Sequence, residues 1–235
     1  TEYFKKGFAS DEEREAYEAE LCATVEAEGA ALLKNENNAL PLASGAKVSL
    51  FGHGSVDLMY GGTGSGSVDT SKAPNLKQAL EAQGITINQT LWDLYSSDSM
   101  MSKYSRMTPA SISDTLEANT QYAVNEAPWS ALSSAESSFA EYGDAAIVVL
   151  SRSGGEGADL PSGENGTSDS WISGQEGDGN YLALSAEEIE LLQNLKALKD
   201  NGTFKSIVVL INSSNAIELD FLNPEICGED YGIDA

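Results

Sequence analysis

The sequence has few basic residues, a single histidine and only two cysteines. It contains 13 Lys and Arg against 37 Asp and Glu, so its formal net charge is −24. So acidic a chain repels nucleic acid and anionic membrane surfaces, and we expect neither as a partner. His53 is the only histidine, and two cysteines are too few for a disulfide framework. A neutral ligand such as a sugar fits these limits.

Long apolar runs are absent as well. No stretch approaches the length that crosses a bilayer, and the first residues lack the apolar core of a signal peptide. We therefore expect a cytoplasmic, bacterial location rather than secretion. With 41% hydrophobic and 21% charged residues, the composition is that of an ordinary soluble protein. A length of 235 residues suits one large domain or two small ones.

Short apolar runs alternate with helical patterns along most of the chain. Such alternation predicts a mainly parallel sheet covered on both faces by helices, a three-layer α/β/α sandwich. We predict strands at about 47–51, 85–88, 145–150 and 206–211, with helices over 75–83, 133–142 and 217–222. Ser185 and Glu188 form a capping box that opens one further helix. Ile233 should begin another strand, so the sandwich is incomplete at its C-terminal end.

The N-terminal segment has its own helical signal. Ser10 and Glu13 form a capping box, and apolar residues then recur near helical spacing, so we predict an amphipathic helix over 11–33. We expect residues 1–43 to be a leading helix and linker and residues 44–235 to be the sandwich domain.

The turn after the first predicted strand invites a different interpretation. Gly52-His53-Gly54 follows a strand, as in dinucleotide-binding folds, but the third glycine is missing and Asp57 lies where a pyrophosphate needs neutral backbone. A phosphate-binding Gly-Lys-Ser/Thr sequence is absent too. We expect His53 to make a local hydrogen bond at the strand end rather than to serve a Ser-His-Asp triad.

The most informative stretch is Ser151–Asn180, which follows the apolar strand Ala145–Leu150. Gly, Ser, Asp and Glu dominate it, and no hydrophobic period survives. A loop of this length inside a compact domain is uncommon and is usually functional or disordered. It leaves the carboxyl end of a strand, where open α/β sheets bind their ligands. We therefore expect this loop to carry the function.

Within the loop, Ser151-Arg152 is followed by Gly155-Glu156-Gly157-Ala158-Asp159. This segment resembles the acid/base loop of family 3 glycoside hydrolases, the β-glucosidase family. The flanking segments 34–42, 181–188 and 207–212 also resemble that family, in the same order. The resemblance covers nearly the whole chain from about Gly29. The short Gly-Glu-Gly alone is a weak signal, and four matching segments in order make a strong one.

The resemblance implies a role for Glu156 as general acid/base of a retaining β-glycosidase. It implies that Arg152 and Asp159 support the loop through ion pairs or backbone hydrogen bonds. Trp171 could stack on a sugar face, stack on a partner barrel domain, or merely pack. One position departs from the family pattern, because Leu160 stands where an Arg often follows the motif Asp.

Two further points concern the same chemistry. Tyr60–Asp69 resembles the family's Gly-Gly-Gly-Ser-Gly loop near the active-site mouth, so Gly62 and Ser65 are candidates for the wall of the aglycone region; a flexible connector is the alternative. Glu176 repeats the Glu-Gly-x pattern and is a local rival of Glu156. We prefer Glu156 because Arg152 and Asp159 bracket it. A solvated glutamate without function is the remaining alternative.

No stretch resembles the family's Asp nucleophile, which lies in a (β/α)8 barrel. We therefore expect a fragment, a processed subunit or one part of a split enzyme, in which that barrel is the partner and this chain alone is inactive. A sandwich that comes first also resembles members with reversed domain order. The expected substrate is a β-linked glucoside or oligosaccharide, with no cofactor and no metal. The alternative function is a non-catalytic α/β module that binds a sugar or a partner chain.

Overall fold

Four parallel strands form the centre of the fold. A computed structural model of the protein describes residues 7–62, 64–66, 69–106, 124–154, 181–214 and 216–235. The strands are β1 (Lys47–Phe51), β2 (Thr86–Ile87), β3 (Ala145–Arg152) and β4 (Ile207–Ser213). Their order in the sheet is β2-β1-β3-β4, and every neighbouring pair is parallel. The predicted mainly parallel sheet is confirmed.

The central strand β3 is buried along its whole length. Its partly β-branched apolar sequence suits a strand that is covered on both faces. Val48–Phe51 of β1 pairs with it in register on one side, and β4 pairs with residues 146–152 on the other. The structure thus extends the predicted strand by two polar residues, Ser151 and Arg152.

Side chains of β3 point alternately to two separate cores, as the twofold period of a strand requires. Ala146, Val148 and Leu150 belong to one core, and Ala145 and Ile147 belong to the other. The first core also contains buried residues of helices α3 (Gln89–Tyr95) and α5 (Ala186–Asp200). The second core packs against helix α2 (Leu76–Ala82). Helices on both faces make the fold a three-layer α/β/α sandwich.

Local sequence explains where these helices begin. Asn75 and Gln78 form a complete capping box before α2, and Ser185 and Glu188 form another before α5. Each satisfies two backbone N–H groups that a helix otherwise leaves without a partner. A short helix α4 (Asp98–Met101) follows α3 and is capped by Ser97.

The N-terminal unit, residues 1–35, contains one helix, α1 (Asp11–Gly29). Ser10 caps it as predicted, with its hydroxyl accepting from the Glu13 N–H. The helix is shorter than the predicted 11–33, because the chain becomes extended at Ala30 after the weak helix former Gly29. None of its residues is buried. The second unit comprises residues 36–235.

Two helices predicted from periodicity form tighter turns instead. The chain over 133–142 is a 3₁₀ helix at Glu136–Tyr142, and the N–H and hydroxyl of Ser138 both donate to the Ala135 carbonyl three residues earlier. The helix predicted over 217–222 is a 3₁₀ turn at Asp220–Leu222, after which Asn223 and Pro224 start a short helix, α6 (Pro224–Cys227). Pro suits a first helical position, because it has no N–H to satisfy there.

Among the described residues, further 3₁₀ turns are His53–Ser55, Gly64–Gly66 and Trp129–Leu132. Near the C-terminus, the Asp234 N–H donates to the Ile207 carbonyl and the Val209 N–H donates to the Ala235 carbonyl. These bonds extend the pairing beyond β4, where Ile233 is predicted to begin a strand. Among the described helices, none combines the length and the apolar character needed to cross a bilayer.

Candidate active site

The loops of interest leave one edge of the sheet. Because β1, β3 and β4 are parallel, their carboxyl ends meet there, and the chain continues from them at Gly52, Ser153 and Ser214. The chain runs from β1 outward to β2 and then returns to add β3 on the other side of β1. Such a reversal of strand order is where open α/β sheets form a binding crevice. Ser151 and Arg152 end β3 at this crevice.

Arg152 is a fully buried cation at this edge. Its two terminal nitrogens donate to the two carboxylate oxygens of Glu188 at 2.8 and 2.7 Å, a bidentate pair. Burial alone lowers the pKa of an arginine, but the attraction of Glu188 and the hydrogen bonds to it outweigh burial and raise the pKa of Arg152. The side chain is therefore a permanent charge, neutralised by the first turn of α5.

Arg152 also binds three backbone carbonyls. Its Nε donates to the Tyr181 carbonyl at 2.7 Å, and its terminal nitrogens donate to those of Ala183 at 2.5 Å and Ser151 at 2.9 Å. All the donor directions of the guanidinium thus have acceptors, which a buried charge requires. The side chain joins the end of β3 to residues 181 and 183, which precede α5.

Tyr181 makes a second connection between the same two segments. Its hydroxyl accepts from the Ser153 N–H at 2.9 Å and lies 3.1 Å from the Ser153 carbonyl, to which it donates. Burial raises the pKa of the Tyr181 phenol, although the hydrogen bonds with Ser153 and the charge of Arg152 oppose that rise. The phenol therefore stays protonated near neutral pH and keeps its donor. Its ring lies beside the Arg152 guanidinium, with 5.8 Å between the guanidinium carbon and the ring centroid.

The start of the long loop is held from β4 as well. The Gly154 N–H donates to the Ser214 hydroxyl at 3.0 Å, and this hydroxyl also lies 3.0 Å from the Gly154 carbonyl. The Ser213 hydroxyl and the Ser214 N–H both donate to the Arg152 carbonyl. Residues 152–154 are thus bound from two sides before the chain enters the loop.

The turn after β1 packs directly on β3. A Cβ at Gly52 would lie 2.7 Å from the Val149 carbonyl oxygen, and a Cβ at Gly54 would lie 2.7 Å from the Ser151 hydroxyl. Gly52 also has a φ of +83°, a conformation that favours glycine. The two glycines therefore serve close packing at the strand reversal, which accounts for the Gly-x-Gly pattern without a nucleotide.

The side chain of His53 does not make the local hydrogen bond expected from sequence, although its backbone carbonyl accepts from the N–H groups of Val56 and Asp57. The partner at this position is Glu126, which accepts from the backbone N–H of His53 at 2.9 Å and from that of Ala127 at 2.9 Å. The His53 Nδ1 lies 2.9 Å from the same carboxylate, but neither ring nitrogen makes a hydrogen bond within the described part of the chain. Both residues are buried. Sequence reasoning missed Glu126, which no local pattern marks.

Several buried polar atoms near this turn retain free hydrogen-bonding capacity within the described part of the chain. They are both ring nitrogens of His53 and the hydroxyls of Ser55 and Ser151. They belong to the turn that follows β1 or, for Ser151, to the end of β3. No group of three or more His, Cys, Asp or Glu among the described residues is arranged to hold a metal ion.

The second glycine-rich loop is anchored at its base to the same edge. The Asn212 side chain, near the end of β4, accepts from the Met59 N–H at 2.5 Å and donates to its carbonyl at 3.0 Å. Arg106 donates to the Asp57 carbonyl and lies 3.2 Å from the Asp57 carboxylate. Beyond this base, Gly62 is half-buried and Ser65 is exposed within a 3₁₀ turn.

The structure therefore describes only part of the predicted site. Arg152, Gly62 and Ser65 are placed as given above. Glu156, Asp159 and Trp171 lie outside the described residues, as does the rival Glu176. Glu188 and Tyr181, which bind Arg152 and Ser153, were not expected from sequence in any role beyond helix capping or flanking similarity.

A model of the glycosyl hydrolase family 3 C-terminal domain matches residues 30–228 of the chain. Among curated relatives, beta-glucosidase A of Butyrivibrio fibrisolvens is 34% identical over 146 residues, which is 60% of this chain and 15% of the relative. The chain thus spans a small part of the length of that relative. The match to the family model extends from the end of α1 to the end of α6.

Solved structures show the same fold. A beta-glucosidase from Paenibacillus barengoltzii has a TM-score of 0.62 at 25% identity, over 89% of this chain and 20% of that one. Beta-glucosidase 3B from Thermotoga neapolitana, solved in complex with glucose, has a TM-score of 0.61 at 24% identity, over 87% and 25%. Taken with the match over residues 30–228, these likenesses mean that the chain belongs to glycoside hydrolase family 3 and carries the C-terminal α/β domain of that family.

Proposed function

We propose that this chain supplies the general acid/base of a retaining β-glycosidase, of the β-glucosidase type, and that Glu156 is that residue. One observation carries the proposal: the Ser-Arg motif that leads to Glu156 ends β3 at the reversal of strand order, where such sheets bind ligands. Membership of family 3 supports the reaction type. The name of the curated relative, beta-glucosidase A, supports the substrate class, a β-linked glucoside or oligosaccharide.

The proposed role follows from the chemistry of glycosides. The departing oxygen is a poor leaving group unless it receives a proton as its bond to the sugar breaks, and the protonated Glu156 donates that proton. The resulting carboxylate then takes a proton from the water that releases the sugar. Glu156 must be protonated near neutral pH to begin this cycle, so it needs desolvation or a nearby negative charge in the assembled site.

The nucleophile in this proposal is an Asp of a (β/α)8 barrel in the same enzyme. In retaining enzymes the two carboxyl groups are about 5–5.5 Å apart, so the barrel must face the carboxyl edge of this sheet. The chain spans 15% of the curated relative and 20–25% of the solved relatives cited above, which is consistent with further domains in those proteins. We accordingly propose that this chain alone hydrolyses no glycoside.

The other candidate residues have supporting roles. Arg152 fixes the start of the loop, and we assign to Asp159 the support of the loop through ion pairs or backbone hydrogen bonds. Trp171 stacks on a sugar ring or contacts the barrel. Gly62 and Ser65 lie on a loop anchored by Asn212, and we assign them to the wall of the aglycone region.

Replacement of Glu156 by Ala in the complete enzyme tests the proposal. Alkyl and disaccharide substrates need protonation most, so their turnover should fall by about 10²–10⁴-fold. Aryl glycosides with good leaving groups should still form the glycosyl-enzyme. Azide needs no deprotonation, so it should restore turnover of these substrates and yield a β-glycosyl azide.

Glu176→Ala is the matched control, since it lies in the same loop and repeats the Glu-Gly pattern. It should have little effect and show no response to azide. Near-normal hydrolysis of cellobiose-like substrates by Glu156→Ala, or azide rescue of Glu176→Ala instead, would refute the assignment. The purified chain without a barrel should not hydrolyse an aryl β-glucoside; turnover by it would refute the shared site.

A further inference from the structure

We propose that Tyr181 and Glu188 are positioning residues for the acid/base glutamate. Together with Arg152 they form what we call the loop clasp, a set of buried side chains that joins the two ends of the segment carrying Glu156. The inference rests on the proposed function of that glutamate. It assigns to Tyr181 and Glu188 a role in addition to helix capping and core packing.

The clasp connects residues on either side of the loop by side-chain bonds. From the first end, Arg152 donates to the carbonyls of Tyr181 and Ala183. From the second end, the Tyr181 hydroxyl bonds to the N–H and the carbonyl of Ser153. Its oxygen also lies 3.2 Å from the Ser153 hydroxyl. Residues 152–153 and 181–183 are therefore held in hydrogen-bonding contact, although 28 to 31 positions of sequence separate the bonded residues.

Glu188 ties the clasp to a rigid element. Its carboxylate accepts from the Ser185 N–H at 2.8 Å, while its own N–H donates to the Ser185 hydroxyl, so the capping box of α5 holds it. The rest of α5 is anchored in the core through Leu191, Leu192 and Leu195. Since Glu188 also binds both terminal nitrogens of Arg152, the guanidinium has one orientation. The position of the clasp is thus fixed relative to the core through α5.

The burial of these groups argues for more than loop closure. An arginine–carboxylate pair out of water is expensive to desolvate, and apolar residues of similar size often stabilise a fold as well or better. Arg152, Glu188 and Tyr181 are each no more than 1% exposed. Compared with apolar residues, the buried group has one geometric advantage. The planar guanidinium of Arg152 donates in fixed directions and so specifies where two backbone segments meet. Such specification is useful where a carboxyl group must meet a substrate, because displacement by 1 Å can cost about 10²-fold in rate.

Tyr181→Phe in the complete enzyme tests the proposal. The change keeps the ring and removes the hydroxyl that bonds Ser153. A displaced Glu156 donates its proton poorly, so kcat should fall by about 10–100-fold on alkyl and disaccharide substrates. The fall should be several times smaller on aryl glycosides with good leaving groups. Azide should accelerate turnover of those aryl glycosides, because a displaced carboxylate also activates water poorly.

Tyr95→Phe is the matched control. Tyr95 is equally buried, and its hydroxyl accepts from the Gly52 N–H at the end of a neighbouring strand. Its loss should lower stability without making kcat depend on the leaving group, and azide should have no effect. Glu188→Gln should resemble Tyr181→Phe, because the amide keeps the capping box and loses the charge that orients Arg152.

Glu156→Ala, measured in parallel, separates the two ideas. If Glu156→Ala shows no leaving-group dependence, the proposed function fails. If Glu156→Ala shows it and Tyr181→Phe loses activity equally on all substrates, the positioning role is overturned and Tyr181 is structural. Should Tyr181→Phe not fold, Ser153→Ala is the second variant, because it removes the hydroxyl that lies 3.2 Å from the Tyr181 oxygen. A leaving-group-dependent loss of a few fold is expected there, and a uniform loss would overturn the proposal.

Discussion

Two ion pairs, one at each edge of the sheet, differ in how deeply they are buried. At the carboxyl edge, Arg152 and Glu188 are buried and bonded through every donor of the guanidinium. At the amino edge, Asp144 precedes β3 and pairs with Lys205 at 2.5 Å, but the lysine side chain is 76% exposed. An open groove of about 400 Å³ adjoins this pair.

This difference shows which charged side chains the fold holds in one fixed geometry. An exposed pair gains little because water screens it, so its geometry carries little information. A buried pair is held only when each group is satisfied, so its geometry is specified by the whole packing around it. The groove at the amino edge is therefore a weaker candidate for function than the carboxyl edge, where the buried Arg152–Glu188 pair lies.

Glu188→Ala should produce the largest loss of stability. It leaves the Arg152 charge buried and without its counter-ion, which typically lowers the free energy of unfolding by about 3–5 kcal/mol. Urea denaturation would measure the loss. Glu187→Ala, one position earlier in the same helical turn, should change it by less than about 1 kcal/mol. Equal losses for the two variants would remove the distinction between the edges.

Glu126→Ala should have the next largest effect. The buried carboxylate accepts from the N–H groups of His53 and Ala127, and its removal leaves both donors buried without that acceptor. The free energy of unfolding should fall by roughly 1–3 kcal/mol. Thermal denaturation would measure it, with the exposed Glu136→Ala as the control. A loss no greater than that of the control would mean that water replaces the carboxylate.

Asp234→Asn tests a buried carboxylate whose partner Lys199 is partly exposed, a case between the buried Arg152–Glu188 pair and the exposed Asp144–Lys205 pair. Burial raises the pKa of Asp234, but hydrogen bonds from Lys199, Asn37 and the Ile207 N–H outweigh it, so its pKa in the folded protein is lowered. A lowered pKa stabilises the fold above the unfolded value, about 3.9, and that contribution is lost as pH falls through the folded pKa.

The melting temperature of the wild type should therefore fall more steeply than that of Asp234→Asn below about pH 4. The variant should be less stable at pH 7. Calorimetry between pH 2.5 and 7 would compare the two curves, and parallel curves would contradict the prediction.

Lys205→Ala should have the smallest effect. It removes the exposed partner of Asp144, while the Lys47 N–H still donates to that carboxylate at 2.8 Å. The free energy of unfolding should change by less than about 1 kcal/mol, and 1 M salt should abolish the difference. A salt-resistant loss as large as that of Glu126→Ala would show that the Asp144–Lys205 pair contributes more than an exposed pair does.

Sequence patterns of a few neighbouring residues predicted the elements whose bounds depend on those same neighbours. The bounds of β1 agree with the apolar run at 47–51, and the capping box at Ser185 starts α5 as expected. Apolar periodicity was less reliable where hydroxyls compete for carbonyls, and Glu136–Tyr142 is a 3₁₀ helix for that reason.

Long-range pairs escaped sequence reasoning. Glu126 meets His53 across 73 positions, and Arg152 meets Glu188 across 36. Neither pair has a spacing that any helix or strand period would reveal. Glu188 was recognised only as a helix cap, because a cap depends on residues three positions apart, whereas its ion pair depends on where β3 ends.

The sequence by itself determined the strands, the helix caps and the motif around Glu156, because each depends on neighbours within a few residues or on a recognisable order of residue types. Only the tertiary structure decided which charges lose their water. Desolvation depends on packing from every side, and that packing comes from segments far apart in the chain. For this reason the sequence marked Arg152, while the fold assigned it Glu188 and Tyr181 as partners.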